Sequence, residues 1–205
     1  MAALGEALLA GAAALSPWEG VAVLLAIAYL LLAMRENPWC WYCAFASTAI
    51  YTALLWNVSL VMQSLLNGYY MAMAVYGWWQ WRRGGEGHRG IAVGRWPWRH
   101  HAAVIAASLL LSAFSGFVLD TGTEAAWPYV DSLITWASVL ATWMVAKKVL
   151  ENWLYWIAID LASLFLYFER GLVLSSALFA LYTVMAVVGY FNWRASERQG
   201  RLALA

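Results

Sequence analysis

Two passages of the chain repeat each other at a fixed separation, and any fold it adopts has to place them equivalently. Tyr70 to Arg82, YMAMAVYGWWQWR, aligns without a gap on Tyr182 to Arg194, YTVMAVVGYFNWR. Gly77 and Gly189 lie 112 residues apart, and the Tyr, Met, Ala, Val, Trp and Arg matches keep that separation. Glu36-Asn37 echoes Glu151-Asn152, again ahead of Trp-rich sequence, at a separation of 115. Two such anchors read as an internal duplication. Duplicated membrane bundles place their substrate site between the copies, near the midplane.

The sequence between the anchors is oily. A membrane-spanning helix needs about 20 mostly apolar residues, and seven runs approach that length, at 18–34, 39–57, 60–81, 101–119, 128–147, 152–168 and 171–193. Only 11% of the 205 residues are charged and 64% are hydrophobic, against about 25% charged in a soluble domain. The predicted class is therefore an all-α polytopic membrane protein with seven transmembrane helices. The joints at 57–60 and 169–171 are short, which makes their flanking helices antiparallel neighbours. Residues 1–17 carry one charge, Glu6, and lack the basic start of a signal peptide, so they read as an interfacial or frayed leader.

Lys and Arg in short loops set orientation. Arg35, the loop 82–100, Lys147, Lys148 and the tail 194–205 hold eleven of the twelve basic residues, all on one face of a seven-span chain. Arg170 stands alone on the other, with Asp120, Glu124 and Glu169. The N-terminus is predicted outside and the C-terminus in the cytoplasm of a bacterial inner membrane. One span, 101–119, then separates a first repeat, 18–81, from a second, 128–193. A single linker helix returns the second copy to the orientation of the first. The expected architecture is 3+1+3, two parallel three-helix repeats about an axis along the membrane normal.

Polar side chains inside such a bundle are the functional clue, because lipid cannot satisfy them. Asn152 opens the sixth helix, and Trp153, Trp156, Asp160, Ser163 and Tyr167 follow at helical spacing along one stripe. The third helix carries Gln63, Asn67 and Tyr70 in the same way, and the fifth Asp131, Thr135, Ser138 and Thr142. The second offers Asn37, Trp41 and Thr48, and the seventh Ser176, Tyr182 and Tyr190. Candidate substrate contacts are Trp156, Asp160, Asn67, Gln63, Tyr70, Trp153, Asn152, Tyr182, Thr135, Asp131, Trp41 and Asn37. Competing structural readings weigh on several of them. Ser and Thr in membrane helices mostly bond their own backbone, and Trp39, Trp78, Trp81, Trp96 and Trp193 lie near helix ends, where an interfacial belt is the default. Asp160 could be hydrogen-bonded to helix 3 or helix 5. Cys40 and Cys43 have no second Cys pair or nearby His to complete a metal site and read as small apolar fillers. His88, His100 and His101 read as solvated.

Aromatic faces, amides, hydroxyls and one buried carboxylate suit a flat ring bearing positive charge and a hydroxylated group. No intramembrane Lys or Arg is available for a phosphate. No phosphate-binding loop and no nucleophile–base pair supports ATP hydrolysis or covalent catalysis, so neither an enzyme nor a cofactor or metal is expected. The basic residues form no patch for nucleic acid.

At these residues the chain resembles the PnuC-type nicotinamide riboside transporters. The resemblance rests on Glu151-Asn152-Trp153-x-x-Trp156, Asp160, Tyr182, Gly189-Tyr190-x-x-Trp193, Tyr76-Gly77-Trp78 and the helix from Asp131 to Thr142 ahead of Lys147-Lys148. It implies a SWEET-like fold, a homotrimer, and uptake of nicotinamide riboside by facilitated diffusion, with cytoplasmic phosphorylation trapping the vitamin for NAD synthesis. Similar proteins take thiamine or riboflavin, and the Trp and Asp argument does not separate thiamine from the riboside. A proton-coupled symporter using Asp160, an intramembrane enzyme and a structural subunit are the competing classes. An enzyme would need a second ionisable group facing Asp160, and Asp131 lies near the opposite edge of the membrane.

Overall fold

The computed structural model describes residues 5–6, 10, 13, 16–57, 61–122 and 127–202, with the backbone alone for Val61, Met62, Gln63 and Glu86. Of the leader 1–17, eleven residues lie outside the described ones, while Ser16 and Pro17 belong to the start of the first helix. Among them are seven α-helices and one 3₁₀ turn, Glu86–His88. They are α1 Pro17–Ala33, α2 Cys40–Asn57, α3 Val61–Arg83, α4 Trp98–Gly122, α5 Pro128–Ala146, α6 Asn152–Glu169 and α7 Val173–Leu202.

The helix ends follow local chemistry. Pro17 occupies the first turn of α1, where a missing N–H is harmless. Ser16 caps that turn: its hydroxyl accepts the Glu19 N–H at 3.2 Å, and the Glu19 carboxylate accepts the Ser16 N–H at 2.7 Å. Gly171, left-handed at φ 71°, ends α6, which is why α7 begins at Val173 rather than at 171. α4 starts directly after Pro97 and is longer than the 101–119 span. The tail also differs from its expected form. α7 runs on to Leu202 because Glu197, only 7% exposed, pairs with Arg95 at 3.4 Å and with Arg201.

Six helices close a ring through the neighbour contacts α1–α2, α2–α3, α3–α5, α5–α6, α6–α7 and α7–α1, while α4 packs on α5 outside it. α4, α5 and α7 are long and apolar enough to cross a membrane by length and composition. α1 is apolar but only 17 residues long, and α2, α3 and α6 carry the aromatic and polar stripes that lower their hydropathy.

Contacts recur across the chain at the separation of 112. Trp41 stands edge-on to Trp81, with centroids 5.3 Å apart, and Trp153 to Trp193, at 5.4 Å. The Ser64 hydroxyl donates to the Thr52 carbonyl, and Ser176 to Leu164. The Trp81 indole donates to the Val145 carbonyl at 3.2 Å and Trp193 to the Ala33 carbonyl at 2.9 Å, so α3 is tied to α5 and α7 to α1. Trp81 and Trp193, 4% and 0% exposed, are thus core braces and not belt residues. Their indoles find backbone acceptors inside the bundle at helix C-termini, where carbonyls lack helical partners. The Glu36-Asn37 echo at 115 is out of register with these contacts. At 112, the partner position of Glu36 is Lys148, and the two form an ion pair at 2.9 Å.

The loop after α3 is strapped to the start of α6. Gly94 N–H donates to the Lys148 carbonyl, and Leu150 N–H donates to the Gly94 carbonyl. His101 is not solvated. It is 8% exposed, stacked on Tyr155 with its Nδ1 3.1 Å from the tyrosine hydroxyl, and its Nε2 is 3.7 Å from Glu151. A strap that carries Arg95 onto Glu151 brings the first turn of α4 down with it.

Candidate functional site

A cavity of about 290 Å³ lies inside the ring. It is lined by Ala26, Tyr29 and Leu30 of α1; Trp41, Ala44, Ser47, Thr48 and Tyr51 of α2; Tyr70 of α3; Thr142 and Val145 of α5; Trp153, Trp156 and Asp160 of α6; and Phe179, Tyr182 and Ala186 of α7. All six ring helices contribute and α4 does not.

Close packing positions its two deepest indoles. A Cβ on Gly77 would meet the Trp41 ring at 2.3 Å, and one on Gly189 would meet Trp153 at 2.8 Å. Only glycine lets α3 and α7 come this near. The two rings are 2% and 1% exposed.

Asp160 is 4% exposed, lines the cavity, and makes no hydrogen bond or ion pair with any described residue, including those of α3 and α5. A carboxylate held this way is unusual, since buried charges are normally paired. No Lys, Arg or His lines the cavity among the described residues. Ser47, Thr48 and Thr142 donate to the carbonyls of Ala22, Ala44 and Ser138, which leaves their oxygens as acceptors. The Tyr51 and Tyr182 hydroxyls have no partner among the described residues and can donate. The wall thus offers aromatic faces, hydroxyls and one negative charge, a match for a flat cationic ring carrying hydroxyls.

Of the sequence candidates, Trp41, Tyr70, Trp153, Trp156, Asp160 and Tyr182 meet at this cavity. Asn37, Asn67, Asp131, Thr135 and Asn152 are not on its wall, and the Gln63 side chain lies outside the described residues. Asn152 is fully buried and donates to the Val149 carbonyl at 2.7 Å, while the Asn37 side chain accepts the Trp39 N–H at 3.0 Å. Tyr29, Ser47, Tyr51 and Phe179 were not singled out from sequence. The repeat could have found Tyr51. Trp41, Ala44, Thr48 and Tyr51 stand 112 residues before Trp153, Trp156, Asp160 and Ser163, with the same helical spacing.

A model of the nicotinamide mononucleotide transporter family matches residues 16–195. The chain belongs to that family. Among its relatives, the riboflavin/roseoflavin transporter RibM of Streptomyces davaonensis is 25% identical over 179 residues, covering 86% of this chain and 84% of RibM. The nicotinamide riboside transporter PnuC of Escherichia coli is 21% identical over 215 residues, covering 93% and 90% of the two chains. The crystal structure of the vitamin B3 transporter PnuC superposes with a TM-score of 0.71 at 20% identity, covering 96% of this chain and 88% of that one. The likeness establishes the fold, and with the family it makes this a multi-pass membrane transporter.

Proposed function

We propose that the protein takes up nicotinamide riboside by facilitated diffusion, alternating access to the cavity between two parallel three-helix repeats. The observation that carries this is Asp160, a carboxylate on an aromatic wall with no hydrogen bond or ion pair among the described residues. The pyridinium ring would lie against Trp156 and Trp153, where an indole face attracts a cation by about 0.5–2 kcal/mol. Asp160 adds Coulombic attraction, and the hydroxyls of Thr48, Tyr51 and Tyr182 receive the ribose. With Asp160 present and no cationic residue on the wall among the described residues, a phosphate is repelled, so the riboside is taken in preference to the mononucleotide.

The ring of six helices, the contacts recurring at 112 and the outlying α4 support the 3+1+3 arrangement. The clustering of basic residues supports an outside N-terminus and a cytoplasmic C-terminus in a bacterial inner membrane. The homotrimer rests on the family resemblance. A second reading, riboflavin, is favoured by the similarity to RibM and by a wall that carries no amide side chain among the described residues.

Thermal unfolding of the purified protein with nicotinamide riboside, nicotinamide mononucleotide, thiamine and riboflavin tests the assignment. A ligand at 100 times its Kd stabilises the native state by about 2.7 kcal/mol. Stabilisation by the riboside and not the mononucleotide is the expected result. Stabilisation by riboflavin or thiamine alone reassigns the substrate, and no shift with any of the four overturns the vitamin reading.

A further inference from the structure

A second cavity, about 640 Å³, opens at the end of the bundle where α3 and α5 finish. Its described wall includes Gln80, Ile91, Trp96, His100, Trp143 and Lys147, with the backbone of Gly85 and Gly90. Nothing in the vitamin reading uses it.

Its chemistry is one-sided. The Gln80 amide, the His100 ring and the Trp96 and Trp143 indoles make no hydrogen bond to any described residue. The Lys147 ammonium is engaged only by the Tyr76 ring, 5.3 Å from its centroid. Five side chains that can donate therefore line one cavity, and Lys147 brings a full positive charge to it. No carboxylate stands on the described wall. Glu151, whose carboxylate meets the Trp96 N–H at 3.4 Å, is occupied by Arg95 and His101, each at 3.7 Å. Exposed Arg82, Arg83 and Arg99 stand within three residues of Gln80 or His100 in sequence.

The place matters as much as the chemistry. Trp96 and Trp143 pack with centroids 5.1 Å apart, and Trp98 beside them is 75% exposed, as indoles at a membrane–water boundary are. Along α4 from Trp98 the surface is apolar, with Leu110 72% and Phe114 71% exposed. Acyl chains can lie there while a headgroup enters the cavity. Basic pockets between membrane helices recognise anionic headgroups in this way.

We propose that this cavity binds a phosphate group at the membrane surface, held by Lys147, His100, Gln80 and the two indoles. The phosphate comes either from an anionic lipid headgroup or from a free phosphorylated solute. The inference rests on membrane embedding and not on the transported vitamin, so its failure leaves the vitamin reading untouched.

The test is thermal unfolding of the full chain in neutral detergent, titrated with phosphatidylglycerol, phosphatidylcholine or inorganic phosphate, for the wild type, Lys147→Gln and Lys147→Arg. Phosphatidylglycerol should stabilise the wild type more than phosphatidylcholine does, with the difference shrinking as salt rises. Lys147→Gln should weaken that binding about fivefold, the factor equivalent to the ~1 kcal/mol of one basic residue at an anionic surface. Lys147→Arg should retain most of it. Stabilisation by inorganic phosphate that Lys147→Gln removes also supports the site and assigns it to a free solute. Equal shifts with both lipids and none with phosphate, or a preference that Lys147→Gln leaves intact, overturn the proposal. Gln80→Leu, which keeps Lys147 over Tyr76, carries the comparison if Lys147→Gln does not fold.

Discussion

Asp160 and its neighbours separate what a residue's type announces from what its surroundings decide. Asp160→Asn removes a buried charge that has no protein partner, so the ligand-free protein should unfold at a higher temperature. Binding should move the other way. Losing a charge-assisted contact of about 1.5–3 kcal/mol weakens the cationic riboside roughly tenfold to a hundredfold, while a neutral flavin changes little. Titration calorimetry on the two proteins with both ligands checks this, and equal losses for riboside and flavin would make Asp160 a structural residue. Asp160, Trp153 and Trp156 were legible because an acid and two indoles one turn apart in an oily run have few other reasons to be there. Asn37 and Asn152 stand off the cavity wall and bond nearby backbone, and the sequence does not show which backbone group is near an amide. Tyr51 was within reach of the sequence, since Ser163, the position 112 residues on, stands on the α6 stripe. Equivalent positions keep their place but not their chemistry.

At the scale of helices, glycine decides how close they approach. Alanine normally stabilises a helix interior relative to glycine by ~1 kcal/mol. Gly77→Ala and Gly189→Ala should do the opposite, since each new methyl meets an indole of the cavity wall at 2.3 or 2.8 Å. Overpacking of this kind costs about 1–3 kcal/mol. Gly77 should be the more damaging because its contact is the shorter. Thermal unfolding measures the loss, and vitamin binding should weaken in parallel as Trp41 or Trp153 is pushed into the cavity. A neutral or stabilising Gly77→Ala would mean that the ring has room to retreat. The existence of the seven helices was readable from run length, and the start of α5 at Pro128 and the end of α6 before Gly171 from local chemistry, whereas α4 starts after Pro97, ahead of the apolar run at 101–119. The far end of α7 was not readable, because past residue 193 it is held by the ion pair of Glu197 with Arg95, a residue on a strap separated from it by about half the chain. The brace role of Trp81 and Trp193 was hidden for a similar reason. An indole near a helix end has the same sequence signature whether it faces lipid or the facing helix.

In the whole molecule, the Tyr69 hydroxyl of α3 donates to the Val139 carbonyl of α5 at 2.9 Å part-way along the helices, and several further described ties between α1–α3 and α5–α7 gather at one end of the ring. The Trp81 and Trp193 hydrogen bonds lie there, and so does the Glu36–Lys148 pair, with the Lys148 ammonium 4.8 Å from the Trp81 ring centroid. Lys148 is 7% exposed, and the Glu36 side chain is 22% exposed. Removing the acid strands a buried ammonium, whereas removing the base leaves a carboxylate that water can reach. Glu36→Gln should therefore destabilise by about 1–3 kcal/mol, between an exposed pair and a fully buried one, and Lys148→Met by less. The reverse order in thermal unfolding would show that the lysine holds this end through its packing on Trp81 and not through its charge. Alternating access adds a kinetic demand. If the copies part here to release substrate, joining the end covalently should stop transport. In a background with Cys40 and Cys43 replaced, Glu36→Cys/Lys148→Cys bridged by a short bis-maleimide should abolish uptake into proteoliposomes, while either single cysteine treated alike stays active. Uptake that survives the bridge would make this end a fixed hinge and move the gate to the opposite mouth of the cavity, beyond Tyr51 and Phe179.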